Sequence, residues 1–214
     1  MDCCKPDYDS VFSAKRAKKD LKRYRKKGPD KTTRLLIDAL MATGVRHKTL
    51  LDIGGGIGVI DNEMLDAGVA SAVHVEASDA FVHVASEEAI RRGHASRVQF
   101  FRGDFVAVAN SIPPADLVTL DRVICCYPDM EQLVTRSATR ARSLYGIVVP
   151  RERRLTRIMR WGINLIFRIT RNPFRFHVHS PGAIDAVVRR AGLVPRFMQE
   201  TPIWRVAVYG RVTG

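Results

Sequence analysis

The sequence lacks the features that mark a secreted, disulfide-bonded or membrane-spanning protein. No apolar run approaches the roughly 18 residues that a membrane span needs. The first ten residues, MDCCKPDYDS, contain no apolar segment of the kind found in a signal peptide. The four cysteines form two adjacent pairs, Cys3–Cys4 and Cys125–Cys126, and neither pair has the C-x-x-C spacing of a zinc or redox site. We therefore expect reduced thiols, a cytoplasmic location and no metal.

Acidic residues are also scarce. The 214 residues contain 22 Asp and Glu against 35 Lys and Arg, which gives a net charge of +13. The excess is concentrated in two segments, because residues 1–34 carry 12 Lys and Arg against 5 Asp, and residues 151–175 carry 8 Arg against 1 Glu. These basic segments suit an anionic substrate, RNA or an anionic membrane surface, or they are simply solvated helix faces.

The most informative stretch is LLDIGGGIGVI, at residues 50–60. An apolar run that ends in an acid and a glycine cluster predicts a buried strand, a tight turn and then a helix. The dinucleotide fingerprint G-x-G-x-x-G needs its third glycine about five residues after the first, and Val59 stands there instead. This departure disfavours a nicotinamide-dependent oxidoreductase. The pattern that stands here is D-x-G-x-G-x-G, formed by Asp52, Gly54, Gly56 and Gly58.

Short apolar strands alternate with helices along most of the chain. This alternation predicts a parallel sheet with helices on both faces, and two closing strands add an antiparallel hairpin. The predicted strands are 50–53, 72–75, 97–102, 117–120, 144–149, 194–199 and 203–210. The predicted helices are 8–26, a second one from the Asp30 cap to Gly44, 59–67, 79–92, 130–142, 155–170 and 181–191.

Four elements of this pattern together resemble the class I S-adenosylmethionine-dependent methyltransferases, over roughly residues 50–149. Residues 50–58 match the first motif of that family, and Glu76 matches the acid that binds both ribose hydroxyls. Residues 103–105 (GDF) match the element whose acid lies beside the adenine amino group. Residues 116–121 (DLVTLD) match the fourth-strand motif beside the methyl group.

The resemblance implies an α/β, Rossmann-like class I methyltransferase fold, with a seven-stranded mixed sheet, helices on both faces and an N-terminal helical extension. Residues 1–45 would form that basic extension as a lid or flank, residues 46–214 the methyltransferase domain, and residues 151–180 a basic, apolar insertion before the last hairpin. The cofactor would be S-adenosyl-L-methionine. A carboxylate at a strand end can accept hydrogen bonds from both hydroxyl groups of its ribose. The cofactor-binding residues so implied are Asp52, Gly54, Gly55, Gly56, Gly58, Glu76, Ala77, Asp104, Phe105 and Asp121.

The acceptor site should form from the N-terminal helices, the loop after the fourth strand and the insertion. His177 and His179 alternate in FRFHVHS, so on an extended segment they point to one side. Either could be a general base, the pair could bind a metal, or both could hydrogen-bond structurally. Tyr24 could close over the cofactor or only pack. The candidate catalytic residues are His177, His179, Tyr127 and Tyr24, and the further pocket candidates are Asp121, Arg122, Cys126 and Asp129.

The cysteines leave a further alternative open. Cys125 and Cys126 fit the role of small pocket-wall residues, as free cysteines behave like small apolar groups. A thiol-based metalloid site made of Cys3, Cys4 and Cys126 is the other interpretation.

The helix predicted at 155–170 combines many apolar residues with arginines, so it could cover a lipophilic, acidic substrate, contact an anionic membrane, or be a buried lid. This layout is similar to that of the magnesium-protoporphyrin O-methyltransferases, whose substrate is lipophilic and carries carboxylates. The Asn/Asp-Pro-Pro-Tyr motif used on base amines is absent, and DRVICCYPD (121–129) takes its place. We therefore predict methyl transfer to the oxygen, nitrogen or sulfur of a small anionic or lipophilic molecule. RNA methylation and a non-catalytic cofactor-binding module are the alternatives.

Overall fold

The computed structural model describes residues 11–212, which form a seven-stranded mixed sheet with helices on both faces. The strand order is β3-β2-β1-β4-β5-β7-β6, in which β1 to β5 are parallel and β7 is antiparallel to both β5 and β6. This architecture confirms the fold class that the sequence predicts. The strands are β1 Thr49–Ile53, β2 Ser71–Glu76, β3 Val98–Arg102, β4 Ala115–Asp121, β5 Ala141–Pro150, β6 Leu193–Glu200 and β7 Trp204–Arg211.

Helices cover both faces of this sheet. No helix among residues 11–212 is long and apolar enough to cross a membrane. The helices are α1 Ala14–Lys27, α2 Lys31–Met41, α3 Val59–Asp66, α4 Asp79–Arg91, α5 Phe105–Val108, α6 Met130–Ala138, α7 Arg154–Ile169 and α8 Pro181–Arg190.

The central strands are apolar throughout because both of their faces are buried, as is usual for parallel strands between helices. Leu50 pairs with Leu117 and points into one apolar layer, with α2 and α3, while Leu51 pairs with Val118 in the opposite layer, with α6 and α8. The two layers hold the carboxyl ends of β1, β2 and β4 at one edge. Ligands of open α/β sheets bind at that edge.

The two N-terminal helices reach this edge by different packing. The Asp30 side chain accepts hydrogen bonds from the Thr32 and Thr33 N–H groups, which confirms the predicted cap of α2. A Cβ built on Gly146 of β5 would lie 2.7 Å from Leu36, so α2 packs directly on the strand backbone. The other helix, α1, packs on α4 through Leu21 and its neighbours.

Two predicted helices differ from the structure at one end. The helix predicted over 130–142 is too long, because α6 ends at Ala138 and β5 begins at Ala141, which pairs with Ala115. Strand pairing overrides the local helix preference of this arginine-containing segment. The helix predicted over 8–26 is wrong at its start, because Phe12 and Ser13 are not helical and α1 begins at Ala14 after an extended Ser13. Residues 8–10 lie outside the described residues. The sequence also missed α5 and the 3-10 helices Ala95–Arg97, Ala109–Ser111 and Ile124–Cys126.

Candidate functional site

A cavity of about 560 Å³ lies at the carboxyl ends of β1, β2 and β4, beneath α1 and α7. Of the ten residues that the sequence assigns to the cofactor, all except Gly58 line it. Gly58 instead precedes α3 with a φ of 75°, and its carbonyl accepts a hydrogen bond from the Asn62 amide at 2.7 Å. The sequence motifs and one cavity therefore coincide, although the roles of individual residues remain predictions.

The glycine turn after β1 leaves its backbone bare toward this cavity. Gly54 and Gly56 have φ values of 64° and 59°, which residues with a side chain rarely adopt. A Cβ on Gly54 would lie 2.5 Å from the Val123 side chain, so the turn also packs too closely for any substituent. Backbone N–H groups in such a turn, before a helix, are suited to an anionic group.

Glu76, at the end of β2, is fixed against the same turn. Its Oε2 accepts a hydrogen bond from the Gly56 N–H at 3.1 Å, and its Oε1 accepts one from the Ser78 N–H at 2.9 Å. An ionised carboxylate has about four acceptor positions, so two remain for a ligand. These two positions could accept hydrogen bonds from the two hydroxyl groups of a diol.

Asp104 and Tyr127 form a second polar group in the cavity. Asp104 caps α5 by accepting the Val106 N–H at 2.9 Å, and its Oδ2 accepts the Tyr127 hydroxyl at 3.1 Å. Burial and the Asp104 charge both raise the pKa of Tyr127, so its hydroxyl is protonated at neutral pH and acts as a donor. Tyr127, predicted as catalytic, is therefore held by one of the predicted cofactor acids.

Asp121 is tied into a network that joins β4 to α2. Arg122, at a φ of 62°, donates to Asp121 Oδ1 at 2.9 Å and to Asp30 Oδ2 at 2.6 Å. Thr33 donates to Asp121 as well. Burial by itself would raise the pKa of Asp30, but Arg122 and the backbone N–H of Thr33 lower it to about 2. The positive charge of Arg122 thus pairs with both carboxylates, and this pairing attaches the start of α2 to the end of β4.

Asp52 lies at the bottom of the cavity with only 1% of its surface exposed. Its Oδ1 accepts the Thr119 hydroxyl at 2.7 Å, and its Oδ2 has no hydrogen-bond partner among residues 11–212. Behind it, Asp61 Oδ2 and His74 Nδ1 are 2.6 Å apart, and a Cβ on Gly55 would touch both His74 and Asp52.

Burial, followed by the charge of Asp61, raises the pKa of Asp52 well above its usual range. One ligand atom from each of Asp52, Asp61 and His74 lies within 4.8 Å of the others. The sequence assigned no role to Asp61 or His74. The available signal was the lone histidine in the otherwise apolar β2.

The other half of the cavity is apolar and aromatic. Ile163 and Phe167 of α7 line it, together with Phe12, Phe174 and Phe176. Neighbouring ring centroids are close, with 6.0 Å between Phe12 and Phe174 and 5.4 Å between Phe167 and Phe174. An acceptor that fills this half would contact rings and aliphatic groups.

Cys125 and Cys126 both line the cavity, as the pocket-wall interpretation requires. The Cys125 thiol donates to the Arg122 carbonyl at 3.2 Å. The contact with Cys126 and burial raise the pKa of Cys125, which keeps it a neutral thiol. The alternative metalloid site stays a hypothesis, since Cys3 and Cys4 lie outside the described residues.

His177 and His179 are not among the residues that line the cavity. Their rings stack at 5.5 Å on one side of the segment, as the alternation predicts. The backbone N–H of His177 donates to the Cys125 carbonyl at 2.7 Å, and the ring Nε2 of His179 donates to the Tyr127 carbonyl at 2.9 Å. Burial, His179 and Arg160 lower the pKa of His177. The two histidines therefore attach the segment FRFHVHS to the loop that follows β4. Their catalytic role stays a prediction.

Tyr24 lines the cavity with its ring, but its hydroxyl is engaged elsewhere. It donates to Glu63 Oε1 at 2.8 Å and accepts a hydrogen bond from Arg92. Burial and Glu63 raise the pKa of Tyr24, so the arrangement favours packing over proton transfer. Asp129, another pocket candidate, caps α6 by accepting the Gln132 N–H at 2.9 Å and does not line the cavity.

Comparison with known proteins agrees with this geometry. The sequence profile of the O-methyltransferase domain family matches residues 8–144. No curated protein matches the sequence. Among solved structures, the chain is 16% identical to magnesium protoporphyrin IX methyltransferase from Synechocystis with bound SAH, with a TM-score of 0.71 over 95% of this chain and 100% of that one.

Two further solved structures share this fold. An O-methyltransferase family protein from Burkholderia thailandensis is 17% identical, with a TM-score of 0.72 over 96% of this chain and 63% of that one. An O-methyltransferase family 2 protein from Planctomyces limnophilus, in complex with apigenin, is 16% identical, with a TM-score of 0.68 over 94% of this chain and 62% of that one. The chain thus spans somewhat less than two thirds of these two proteins.

Proposed function

Because the chain belongs to the O-methyltransferase domain family, and is therefore an S-adenosylmethionine-dependent methyltransferase, we propose that it methylates an oxygen atom of a small lipophilic acid. The observation that carries this proposal is the division of one cavity into two halves. Carboxylates and a bare glycine turn line the cavity at the strand ends, while aromatic and aliphatic side chains of α7 and its neighbours line the rest of it.

The polar half fits the cofactor in its donor and acceptor groups. We assign the ribose hydroxyls to Glu76, the adenine amino group to Asp104 and the carboxylate to the N–H groups of the glycine turn. Asp52 has one oxygen unpartnered within the described chain, and a positively charged group of the bound cofactor beside it would favour its ionised form. When bound, S-adenosylmethionine supplies an electrophilic methyl group on a sulfonium, so the protein contributes mainly positioning. The cavity volume of about 560 Å³ is in the usual range for a small-molecule site.

The apolar half suits a lipophilic acceptor whose acidic group stays near the mouth. Arg16 and Arg23 of α1 line the cavity at that mouth, and both are more than half exposed. Their only close acid among the described residues is Asp20, at 3.9 Å from each. A carboxylate or phosphate on the acceptor would therefore find available guanidinium groups.

The acceptor oxygen decides whether a base is needed. A carboxylate oxygen is already nucleophilic, whereas a hydroxyl group must lose its proton. His177 is the nominated residue whose lowered pKa favours a neutral ring, and it lies beside the cavity lining rather than in it. We retain His177 for a hydroxyl acceptor and require no base for a carboxylate.

The test is transfer of labelled methyl from S-adenosylmethionine into a cell extract, followed by separation into organic-soluble, nuclease-sensitive and protein pools. We expect label in the organic-soluble pool, as a product that mild alkali hydrolyses if it is an ester. Label confined to the nuclease-sensitive pool would contradict the proposal and favour RNA, which the basic segments could hold. Cofactor binding with no label in any pool would favour a non-catalytic module.

A matched pair of variants tests the role of the α1 arginines once an acceptor is found. Arg23→Gln should raise the KM for an acidic acceptor several-fold while cofactor affinity stays unchanged. Lys27→Gln, on the same helix but not in the cavity lining, serves as the control and should leave KM unchanged. An equal effect of both changes would show that only the general charge of α1 matters.

A further inference from the structure

We propose that the outer side of α7 docks on the surface of an anionic lipid bilayer. The docking does not depend on which group is methylated. Its purpose, which is to bring the cavity mouth to a membrane where a lipophilic acid partitions, rests on the proposed function.

The outer side of α7 is apolar and exposed. Ile158, Trp161, Ile166 and Ile169 have 66%, 68%, 61% and 72% of their surfaces exposed. Leu155 and Leu165 continue the same stripe, so six of the nine exposed large apolar side chains among residues 11–212 lie on this one helix. Contiguous exposed apolar surface of this kind marks a contact with a partner or a membrane.

The spacing of these residues shows a single stripe. Positions 158, 161, 165 and 169 recur every three or four residues and so share one side of the helix. Ile163 and Phe167 lie on the opposite side and line the cavity. The helix therefore separates the cavity from whatever covers the outer stripe.

The charge beside the stripe selects an anionic lipid surface over another protein surface. Arg154, Arg157, Arg160 and Arg168 are exposed, and none forms a salt bridge within residues 11–212. The helix contains no acidic residue, and residues 151–175 carry 8 Arg against a single Glu. Unpaired cations beside an apolar stripe with a tryptophan are typical of helices that lie in the membrane interface.

The second basic segment lies at the same mouth. Arg16 and Arg23 of α1 line the same cavity as α7, and ring contacts from Phe12 through Phe174 to Phe167 connect the two helices. A bilayer contacted by α7 would therefore also lie near the cationic α1. Both basic segments would then contribute to one surface.

The first test is co-sedimentation of the full chain with vesicles, without cofactor or acceptor. We expect binding to phosphatidylcholine vesicles that contain phosphatidylglycerol, weak binding to phosphatidylcholine alone, and loss of binding as salt rises. Ile158→Gln/Ile169→Gln should weaken binding at least tenfold. Ile90→Gln, at an equally exposed apolar side chain on α4, is the control and should bind normally.

A second pair of variants tests the charge. Arg157→Gln/Arg168→Gln should weaken binding to anionic vesicles several-fold, while Arg142→Gln/Arg189→Gln removes two exposed arginines elsewhere and should have little effect. All of these positions are exposed, so the variants should fold. Absence of binding to anionic vesicles, or equal binding of the Ile158→Gln/Ile169→Gln variant, would overturn the proposal. Dimerisation that this variant abolishes, without vesicle binding, would assign the stripe to a second copy of the chain.

Because these measurements need no methyl transfer, an inactive preparation can still confirm or overturn the docking. A chain that binds vesicles but methylates only RNA would contradict the proposed function and leave the docking intact.

Discussion

Asp52 is the residue whose environment departs most from that of an ordinary acid. It is buried, one oxygen has no partner within the described chain, and Asp61 lies beside it. The D-x-G-x-G-x-G motif predicted that Asp52 lies at the cofactor. The buried cluster with Asp61 and His74 could not be predicted, since it depends on the pairing of β1 with β2.

The raised pKa of Asp52 predicts that the protein loses stability as pH rises. The unfolded chain loses this proton at about pH 4, whereas the folded chain keeps it at higher pH, so the free energy of unfolding falls as pH rises above 4. The free energy of unfolding falls by about 1.4 kcal/mol for each pH unit over which only the folded state holds the proton. Asp52→Asn cannot ionise. Urea unfolding should therefore show that the free energy of unfolding of Asp52→Asn, relative to that of wild type, rises between pH 5 and pH 8. A constant difference across that range would contradict the assignment.

At the scale of elements, the strands were predictable and some helix ends were not. Apolar runs that end in an acid or glycine located β1, β2 and β4 to within a few residues, because both faces of these strands are buried. The end of α6 was missed because its last predicted residues pair in the sheet. The anchoring of α2 by Arg122 was missed as well, since Asp30 and Arg122 are 92 residues apart in sequence.

Arg122 should therefore control how firmly α2 is attached to the sheet. Arg122→Ala leaves Asp30 and Asp121 without their shared cation, and we expect a loss of roughly 1–3 kcal/mol of unfolding free energy. The lowered pKa of Asp30 stabilises the fold above about pH 4, and this contribution disappears as pH falls toward 2. The loss on mutation should therefore shrink in acid, which urea unfolding at pH 7 and pH 3 would measure.

Arg122→Gly is the matched control because glycine accepts the positive φ without strain. Arginine and alanine both carry a Cβ at this φ, so the glycine variant should lose less stability than Arg122→Ala, by roughly 1 kcal/mol of relieved strain. If the ion pairs stabilise the fold, the loss in both variants should shrink in acid. A loss that is the same at pH 7 and pH 3 in both variants would contradict a role for the ion pairs.

At the scale of the whole molecule, two basic segments more than a hundred residues apart meet around one cavity. The sequence predicted each segment and the cofactor motifs, because these are local patterns. It also predicted that the N-terminal helices and the insertion form the acceptor site, and residues of α1 and α7 line one cavity. It could not predict that His177 and His179 lie beside the cavity lining rather than in it. The residues of the cofactor half were therefore largely predictable from the sequence, whereas for the acceptor half only the contributing segments were.

The central claim is that the strand-end acids around the glycine turn hold S-adenosylmethionine, and titration calorimetry of the full chain tests it most directly. We expect wild-type binding, and a more than tenfold loss, about 1.4 kcal/mol, for either Glu76→Ala or Asp104→Ala. Glu87→Ala, an exposed acid on α4, should bind as wild type does. Unchanged affinity in both Glu76→Ala and Asp104→Ala would contradict the assignment of this site.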